Sequence, residues 1–370
     1  MELYIRRKGK LLRRGLTTGT CAAAASKAAT IAIVRGDMVE EVSVKLPDGE
    51  SVALAVYGVK QEGNKCSCYT IKDAGDDPDV TNGIKIWAEV ELRHGSGVVI
   101  LGGKGVGIVT KPGLQVPVGA AAINPVPREM ITREVASMLP LGRGAVVRII
   151  VPEGIELAKR TMNSKLGIIG GISIIGTTGV VEPKSLGAFR DSLVPQIDIA
   201  MAAGYHEIVL TPGRRSERMA VGKGIPQDAV VQTGNFIGFM LKSCASRGLD
   251  RVLLFGGLGK LSKLSMGYFY THSGTSPRGT EAMARLAIDA GAEGDVVKSV
   301  RNANTTDEAI EILIENGLEV ALNNLAEAIT FRAREYVDGG MEIGTAIVSL
   351  NGDVVGRSNL DGSLWGRYMS

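Results

Sequence analysis

From about residue 165 the chain repeats one unit: a short apolar run, a polar loop rich in glycine, and a helix-length amphipathic stretch. The pattern predicts strands at Ile172–Ile175, Glu207–Leu210, Ala229–Gln232 and Arg251–Phe255, with helices near 185–203, 214–223 and 235–247. Strands separated by helices pair in parallel, because each crossover returns the chain to the same end of the sheet. The loops after these strands are Gly176–Gly179, Thr211-Pro212-Gly213, Thr233-Gly234-Asn235 and Gly256-Gly257-Leu258-Gly259. In an open α/β sheet such loops share the carboxyl edge, where nucleotide-like ligands bind. Glycine lets a ligand approach the backbone, and threonine adds a hydroxyl donor. A buried strand closed by a glycine turn, with no ligand, explains Gly170–Gly179 taken alone; four loops on one edge favour a ligand crevice.

The length, 370 residues, exceeds what one core usually serves, so two domains are expected. We place an α+β domain over 1–150 and an α/β domain with a mainly parallel, Rossmann-like sheet over 151–370. In the first, Thr17-Thr18-Gly19-Thr20 precedes an alanine-rich helix from Cys21 to Val34. Strands follow at Glu41–Leu46, Ser51–Val59, Cys66–Ile71, Ile84–Leu92 and Val98–Leu101, then a helix over Pro127–Leu139 and a strand at Val146–Val151. In the second, Thr306 opens a tail helix that Gly317 ends, and Ile343–Leu350 and Asp353–Ser358 flank Asn351-Gly352 as a hairpin.

Composition narrows the function. Aromatic residues are 4% and glycines number 49, so the core is aliphatic and base-stacking platforms are scarce. A net charge of +3 gives no reason to expect nucleic acid, and no apolar run reaches the 18 residues that would suggest a membrane span. Arg6, Arg7, Lys8, Lys10, Arg13 and Arg14 form a basic arm, but Ser26 and Lys27 interrupt the following Cys21–Ala25, which argues against a secretory signal. Cys21, Cys66, Cys68 and Cys244 lack CxxC spacing and read as reduced, small apolar residues of a cytoplasmic protein. The oligomeric state stays open, a homo-oligomer included.

Several motif readings fail. Gly259-Lys260 would need glycine where Leu254 stands and Ser or Thr where Leu261 stands, so there is no P-loop. The dinucleotide fingerprint lacks its third glycine after Gly257 and Gly259. Gly103-Lys104-Gly105-Val106-Gly107 is followed by Ile108-Val109-Thr110, which continues as strand rather than helix. Asp73, Asp76, Asp77 and Asp79 lack calcium-loop spacing, with Ile84 at the closing position. They read either as a solvated turn or as carboxylates that orient substrate or accept a proton. His94 and His206 look ordinary, whereas His272 lies in the polar loop Thr271–Ser276. No HExxH or HxxxH pattern suggests a zinc site. Lys111, Arg128, Arg133, Arg214, Arg215, Lys223 and Lys260 recur beside Gly and Pro loops, which suits a ligand with several carboxylates or phosphates.

These segments resemble a family. Gly15–Ala25, Lys72–Gly83, Val109–Leu114 and Ala122–Arg128 are similar, in order, to signatures of the CbiD family of cobalt-precorrin-5B C1-methyltransferases. Gly170–Gly179, Gly234-Asn235-Phe236, Gly259–Leu264 and Thr271-His272-Ser273 continue the series, with Ala121 standing where many relatives carry proline. The resemblance implies methyl transfer from S-adenosylmethionine to ring carbon C1 of a cobalt-containing corrinoid precursor, on a fold unlike that of the usual tetrapyrrole methylases. On it we expect Gly176, Thr177, Thr178, Gly179, Thr211, Gly213, Gly234, Asn235, Gly256, Gly257 and Gly259 to hold S-adenosylmethionine. Thr17, Thr18, Thr20, Lys111, Asn124, Arg128 and Lys260 are expected to hold the corrinoid, mainly on the first domain. Asp73 or His272 would move a proton, and no metal ligands are expected. A nicotinamide-dependent reductase and a non-catalytic tetrapyrrole carrier are the competing classes.

Overall fold

The structure is a computed structural model that describes residues 4–7 and 9–369, so Lys8 of the basic arm lies outside the described residues. The chain divides into two compact units, residues 1–186 and 187–370.

The first unit runs β1 (Tyr4–Arg7), β2 (Lys10–Arg13), β3 (Gly15–Leu16), α1 (Thr18–Arg35), β4 (Glu41–Lys45), β5 (Ser51–Ala55), β6 (Tyr57–Glu62), β7 (Lys65–Ile71), β8 (Lys85–His94), β9 (Val98–Gly102), β10 (Gly105–Val106) and β11 (Ile108–Val109). It continues through α2 (Pro125–Ala136), β12 (Arg143–Ile150), α3 (Gly154–Ala158), β13 (Ile168–Ile169), β14 (Gly171–Ile172) and β15 (Val180–Val181). Its main sheet has the order β6-β7-β8-β12-β9. Alternation along β7, β8 and β12 turns Cys66, Cys68, Ile86, Ala88, Val90, Ala145, Val147 and Ile149 inward. Against this face lies α1, whose Cys21–Ala25, Ala28 and Ala29 are fully buried. Alanine both favours the helix and keeps it thin enough for close approach. Thr70 Oγ1 and Cys68 Sγ donate to the Cys21 and Ala25 carbonyls, each at 3.1 Å, and stitch helix to sheet. Burial pushes the thiols of Cys21 and Cys68 up to about 12, so both are neutral at physiological pH. The expected strand Ser51–Val59 divides in two, because β5 pairs with β4 whereas β6 pairs with β7.

The boundary near residue 150 is corrected to 186. The segment expected to open the parallel sheet instead makes three two-residue pairings inside the first unit: β14 parallel to β10, and β13 and β15 antiparallel to β11 and β3. A short β-branched run between glycines satisfies such a pairing as well as it would a longer strand, and periodicity does not separate the two.

The boundary falls at the first residue of α4 (Leu186–Asp191), and the second unit then runs α5 (Pro195–Ala202), β16 (Glu207–Thr211), α6 (Arg214–Gly222), β17 (Val230–Gln232), α7 (Ile237–Ala245), β18 (Arg251–Gly256) and α8 (Leu258–Ser265). After α9 (Gly279–Asp289), α10 (Gly294–Asn302), α11 (Thr306–Glu315) and α12 (Val320–Tyr336) come β19 (Glu342–Val348) and β20 (Val354–Arg357). The sheet is mixed, in the order β17-β16-β18-β19-β20, with parallel pairings except for the antiparallel β19–β20 hairpin. Ile208, Leu210, Val252, Leu254, Ile343 and Ile347 pack into the larger core, and Val209, Leu253, Phe255, Ala346 and Val348 into a smaller one on the opposite face. The tail is helical, as expected, with four helices where the sequence marked one start. No helix among the described residues is long and apolar enough to cross a membrane.

Candidate functional site

In the second unit the chain leaves β16 through α6 to β17 on one side, then passes through α7 to β18 on the other. Neighbouring strands whose onward connections diverge leave a crevice at their carboxyl ends. Three expected loops open onto this one edge: 211–213 after β16, 233–235 after β17 and 256–259 after β18. Buried Thr211 and Thr233 fix two of them, the Thr233 amide donating to the Thr211 carbonyl at 2.9 Å and Thr211 Oγ1 to the Val231 carbonyl at 3.3 Å. Lys260 Nζ donates to the Pro212 carbonyl at 2.9 Å and the Gly234 carbonyl at 3.3 Å, tying the third loop to the other two. Burial, with Lys263 adding a like charge, lowers its pKa.

The glycines here divide by cause. Gly234 has φ +59°, the left-handed region that favours glycine. A Cβ on Gly256 would fall 2.8 Å from Pro212 Cδ and 2.9 Å from Ser216 Oγ, so packing requires glycine there. At Gly213 a Cβ would meet nothing within 4 Å, and at Gly257 only the Val348 carbonyl at 3.7 Å. Both are the N-caps of α6 and α8, and neither has a side chain to cover the first free amides of its helix. Neither packing nor backbone demands glycine at these two places, so they leave room for a ligand at two helix N-termini. A Cβ on Gly259 would lie 3.7 Å from Thr306 Oγ1, which brings the start of α11 to the same edge. There Asp307, which the sequence reading passed over, has its carboxyl raised by burial, partly opposed by Arg215. Its only sequence signal was the Thr-Thr-Asp-Glu cap.

The fourth expected loop is corrected: Gly176, Thr177, Thr178 and Gly179 belong to the first unit and lie beside the start of α1. A Cβ on Gly176 (φ +140°) would fall 2.2 Å from Thr17 Oγ1, and one on Gly179 (φ +80°) 2.7 Å from Leu46 Cδ2 and 3.0 Å from Thr20 Oγ1. Contact with their own chain is sufficient reason for both glycines. Thr177 and Thr178 are exposed, Thr178 Oγ1 donating to the Val180 carbonyl at 3.1 Å. The threonines expected to meet substrate are buried and bonded inward. Thr17 caps α1 by accepting from the Thr20 amide at 3.2 Å, Thr20 Oγ1 donates to the Gly179 carbonyl at 2.7 Å, and Thr18 Oγ1 accepts from the Ile175 amide at 2.9 Å.

Beside this knot, both terminal guanidinium nitrogens of Arg13 donate to Asp73, one at 2.8 Å, and the Gly75 amide donates to the same carboxylate at 2.8 Å. The Arg13 bond holds the Asp73 carboxyl below the ordinary range, so at neutral pH it is a poor proton acceptor. Asp79 answers fully buried Lys72 at 2.6 Å. Burial alone would raise the Asp79 carboxyl, but Lys72 and Thr81 hold it low. Asn124 is the N-cap of α2 without a side-chain cap bond. Arg128 donates to the carbonyls of Ile123 at 2.8 Å and Ala121 at 3.3 Å, and burial lowers its pKa. The stem of Lys111 covers Gly167, next to the β11–β13 ribbon. On that ribbon Ile108 and Ile169, cross-strand partners, are 48% and 57% exposed, an apolar pair open to solvent. His272, in the second unit, is exposed, its Nδ1 accepting from the Gly274 amide at 3.1 Å and its ring stacked on Tyr270. Among the described residues, no group of three or more His, Cys, Asp or Glu could hold a metal ion.

The protein is of mixed α and β structure in two units, the second carrying three glycine loops at the carboxyl edge of its sheet. The CbiD family model matches residues 5–183 and the model for the CbiD C-terminal domain matches residues 270–359. The cobalt-precorrin-5B C(1)-methyltransferase of Moorella thermoacetica is 48% identical over 359 residues, covering 96% of this chain and 98% of that one. Those of Alkaliphilus metalliredigens and Geobacillus kaustophilus are 42% and 43% identical over 98% and 95% of this chain, and over 97% and 96% of their own. A crystal structure of the cobalamin biosynthesis protein CbiD from Archaeoglobus fulgidus shares 30% identity with a TM-score of 0.39, over 85% of this chain and 88% of that one. The chain belongs to the CbiD family. No name among these relatives favours a reductase or a carrier.

Proposed function

We propose that this chain transfers a methyl group from S-adenosylmethionine to C1 of cobalt-precorrin-5B, giving cobalt-precorrin-6A. The observation that carries the activity is near-full-length identity of up to 48% to relatives named for this reaction. The carboxyl edge of the second unit's mixed sheet holds the methyl donor at Thr211, Gly213, Gly234, Asn235, Gly256, Gly257 and Gly259. Open space at Gly213 and Gly257, above uncapped helix N-termini, supports this placement. The exposed Ile108–Ile169 pair, with Lys111, Asn124 and Arg128 nearby in sequence, supports the first unit as the side for an acidic, flat macrocycle. Thr17, Thr18 and Thr20 then act on substrate only through the loop they hold.

When bound, S-adenosylmethionine supplies an electrophilic methyl carbon whose bond electrons return to sulfur as C1 attacks. The chain's task is alignment and exclusion of water, since an in-line displacement needs no protein nucleophile. Lys260 locks the three loops so that the donor's position is set before reaction. Asp73, held as a carboxylate by Arg13, suits an orienting role, which leaves His272 as the better proton carrier. Calorimetry of the full chain tests the donor site. S-adenosylhomocysteine should bind while NADH and NADPH do not; the reverse pattern would overturn the reading.

A further inference from the structure

Among the described residues two lysines are buried, and they are treated differently. Lys72 is neutralised by Asp79 at 2.6 Å. Lys263, on α8 one turn beyond Lys260 and 6% exposed, has no carboxylate partner among the described residues. Its ammonium donates to the Thr271 carbonyl at 3.1 Å and to Ser276 Oγ at 2.9 Å, and the Ser276 hydroxyl donates in turn to the His272 carbonyl at 2.8 Å. An ammonium has three donors. Lys260 and Lys263 each use two of theirs on neutral oxygens, which leaves one donor apiece. Beside them the Thr271 hydroxyl, on a residue 2% exposed, has no partner among the described residues, and the Thr271 amide donates to the Asn235 carbonyl at 3.0 Å. Two partly desolvated cations and an unused buried hydroxyl thus gather where the loop after α8 meets the loop that follows β17.

A buried cation without an anion is costly, and so is a buried hydroxyl without a partner. One anion of carboxylate size would answer both. We infer that Lys260, Lys263 and Thr271 form a carboxylate cradle that anchors a ligand at the carboxyl edge of the second unit's sheet. Burial lowers the pKa of both lysines, as expected for ammonium groups awaiting an anion. The identity of the ligand, though not the cradle itself, rests on the methyltransferase reading. The carboxylate comes either from the amino-acid end of the methyl donor or from an acidic side chain of the corrinoid, and the two sources separate by experiment.

The test is calorimetry of the full chain and of Lys263→Met, Lys260→Met and Thr271→Val, using S-adenosylhomocysteine and methylthioadenosine, which lacks the carboxylate. If the donor supplies the anion, Lys263→Met weakens S-adenosylhomocysteine roughly 10- to 100-fold, the usual worth of a charged hydrogen bond, and leaves methylthioadenosine unchanged. If the corrinoid supplies it, S-adenosylhomocysteine is unaffected and the apparent KM for cobalt-precorrin-5B rises by a similar factor. Lys263→Arg should recover part of either loss, and Thr271→Val should lose only a few-fold. No change in both S-adenosylhomocysteine affinity and the apparent KM for cobalt-precorrin-5B, or equal loss of S-adenosylhomocysteine and methylthioadenosine, overturns the inference. Should Lys263→Met fail to fold, the unmodified chain still decides: the Lys260 and Lys263 ammonium resonances should shift on addition of S-adenosylhomocysteine, the corrinoid, or acetate alone. Acetate shifts without binding of either larger ligand would keep the cradle and sink the methyltransferase reading. Unmoved resonances in all three titrations would sink the cradle.

Discussion

Substituting valine for Gly176 and for Gly257 should have opposite consequences, although both glycines sit in loops that look alike in sequence. At Gly176 the new Cβ would lie 2.2 Å from Thr17 Oγ1 and 2.5 Å from Thr17 Cβ, at φ +140°. Thr17 must move, and with it the cap of α1, worth about 1 kcal/mol. Overpacking adds about 1–3 kcal/mol and the forced backbone about 1–2 kcal/mol. A total near 4 kcal/mol lowers the melting temperature of a unit this size by roughly 8–16 °C. At Gly257 the backbone is extended (φ −74°, ψ 154°) and the nearest atom to the new Cβ is the Val348 carbonyl at 3.7 Å. Only the weaker N-cap counts, about 1 kcal/mol or roughly 2–4 °C. Yet a branched side chain there covers the start of α8, so S-adenosylhomocysteine affinity should fall at least tenfold. Melting scans paired with calorimetry decide. A Gly257→Val protein that binds normally, or a Gly176→Val protein as stable as the parent, would refute the division of glycines into packing and ligand positions.

Other outcomes follow from the same structure. Asp79→Asn leaves Lys72 buried and unpaired and should cost about 3 kcal/mol, seen as a lower midpoint in urea. Because the Asp79 carboxyl is held low, its contribution is complete above the ordinary carboxylate range and is lost as pH falls through the folded-state value. The gap between parent and variant should therefore narrow in acid, and a gap that widens below about pH 4 would contradict the pairing. Cys21 and Cys68, pushed up to about 12, should resist a thiol reagent at pH 8 in the native protein and react only on unfolding. Ile108→Asp with Ile169→Asp should raise the apparent KM for the corrinoid at least tenfold while leaving stability and S-adenosylhomocysteine affinity near normal. A selective loss of the nucleoside ligand instead would move the corrinoid away from this ribbon.

What could be read in advance depended on how local each cause is. The alanine-rich α1, the three loops after β16, β17 and β18, and the C-terminal hairpin rest on propensity and turn chemistry, and each formed, although the hairpin turns over 349–353 rather than on Asn351-Gly352 alone. Helix α1 starts at Thr18 rather than near Cys21, because Thr20 Oγ1 bonds the Gly179 carbonyl and tertiary contact overrides the poor propensity of Thr-Gly-Thr. Segment 168–181 misled because its two-residue pairings with 15–16 and 105–109 join positions distant in sequence. The helices over 279–336 bury much of the larger core, yet α9, α10 and α12 lack a capping side chain, so no start signal marked them. Lys260 stood out from its glycine neighbours as a corrinoid contact, whereas its bonds to the Pro212 and Gly234 carbonyls, distant in sequence, could not be read there. Lys263, one turn on in an ordinary helical pattern, became visible only through its burial without a carboxylate.

The central claim is methyl transfer to one carbon of one corrinoid. Anaerobic incubation with cobalt-precorrin-5B and S-adenosylmethionine bearing a carbon-13 methyl group tests it most directly. One labelled methyl is expected on the corrinoid, located at C1 by NMR, with S-adenosylhomocysteine formed in equal amount. A corrinoid that binds and returns unlabelled would contradict it.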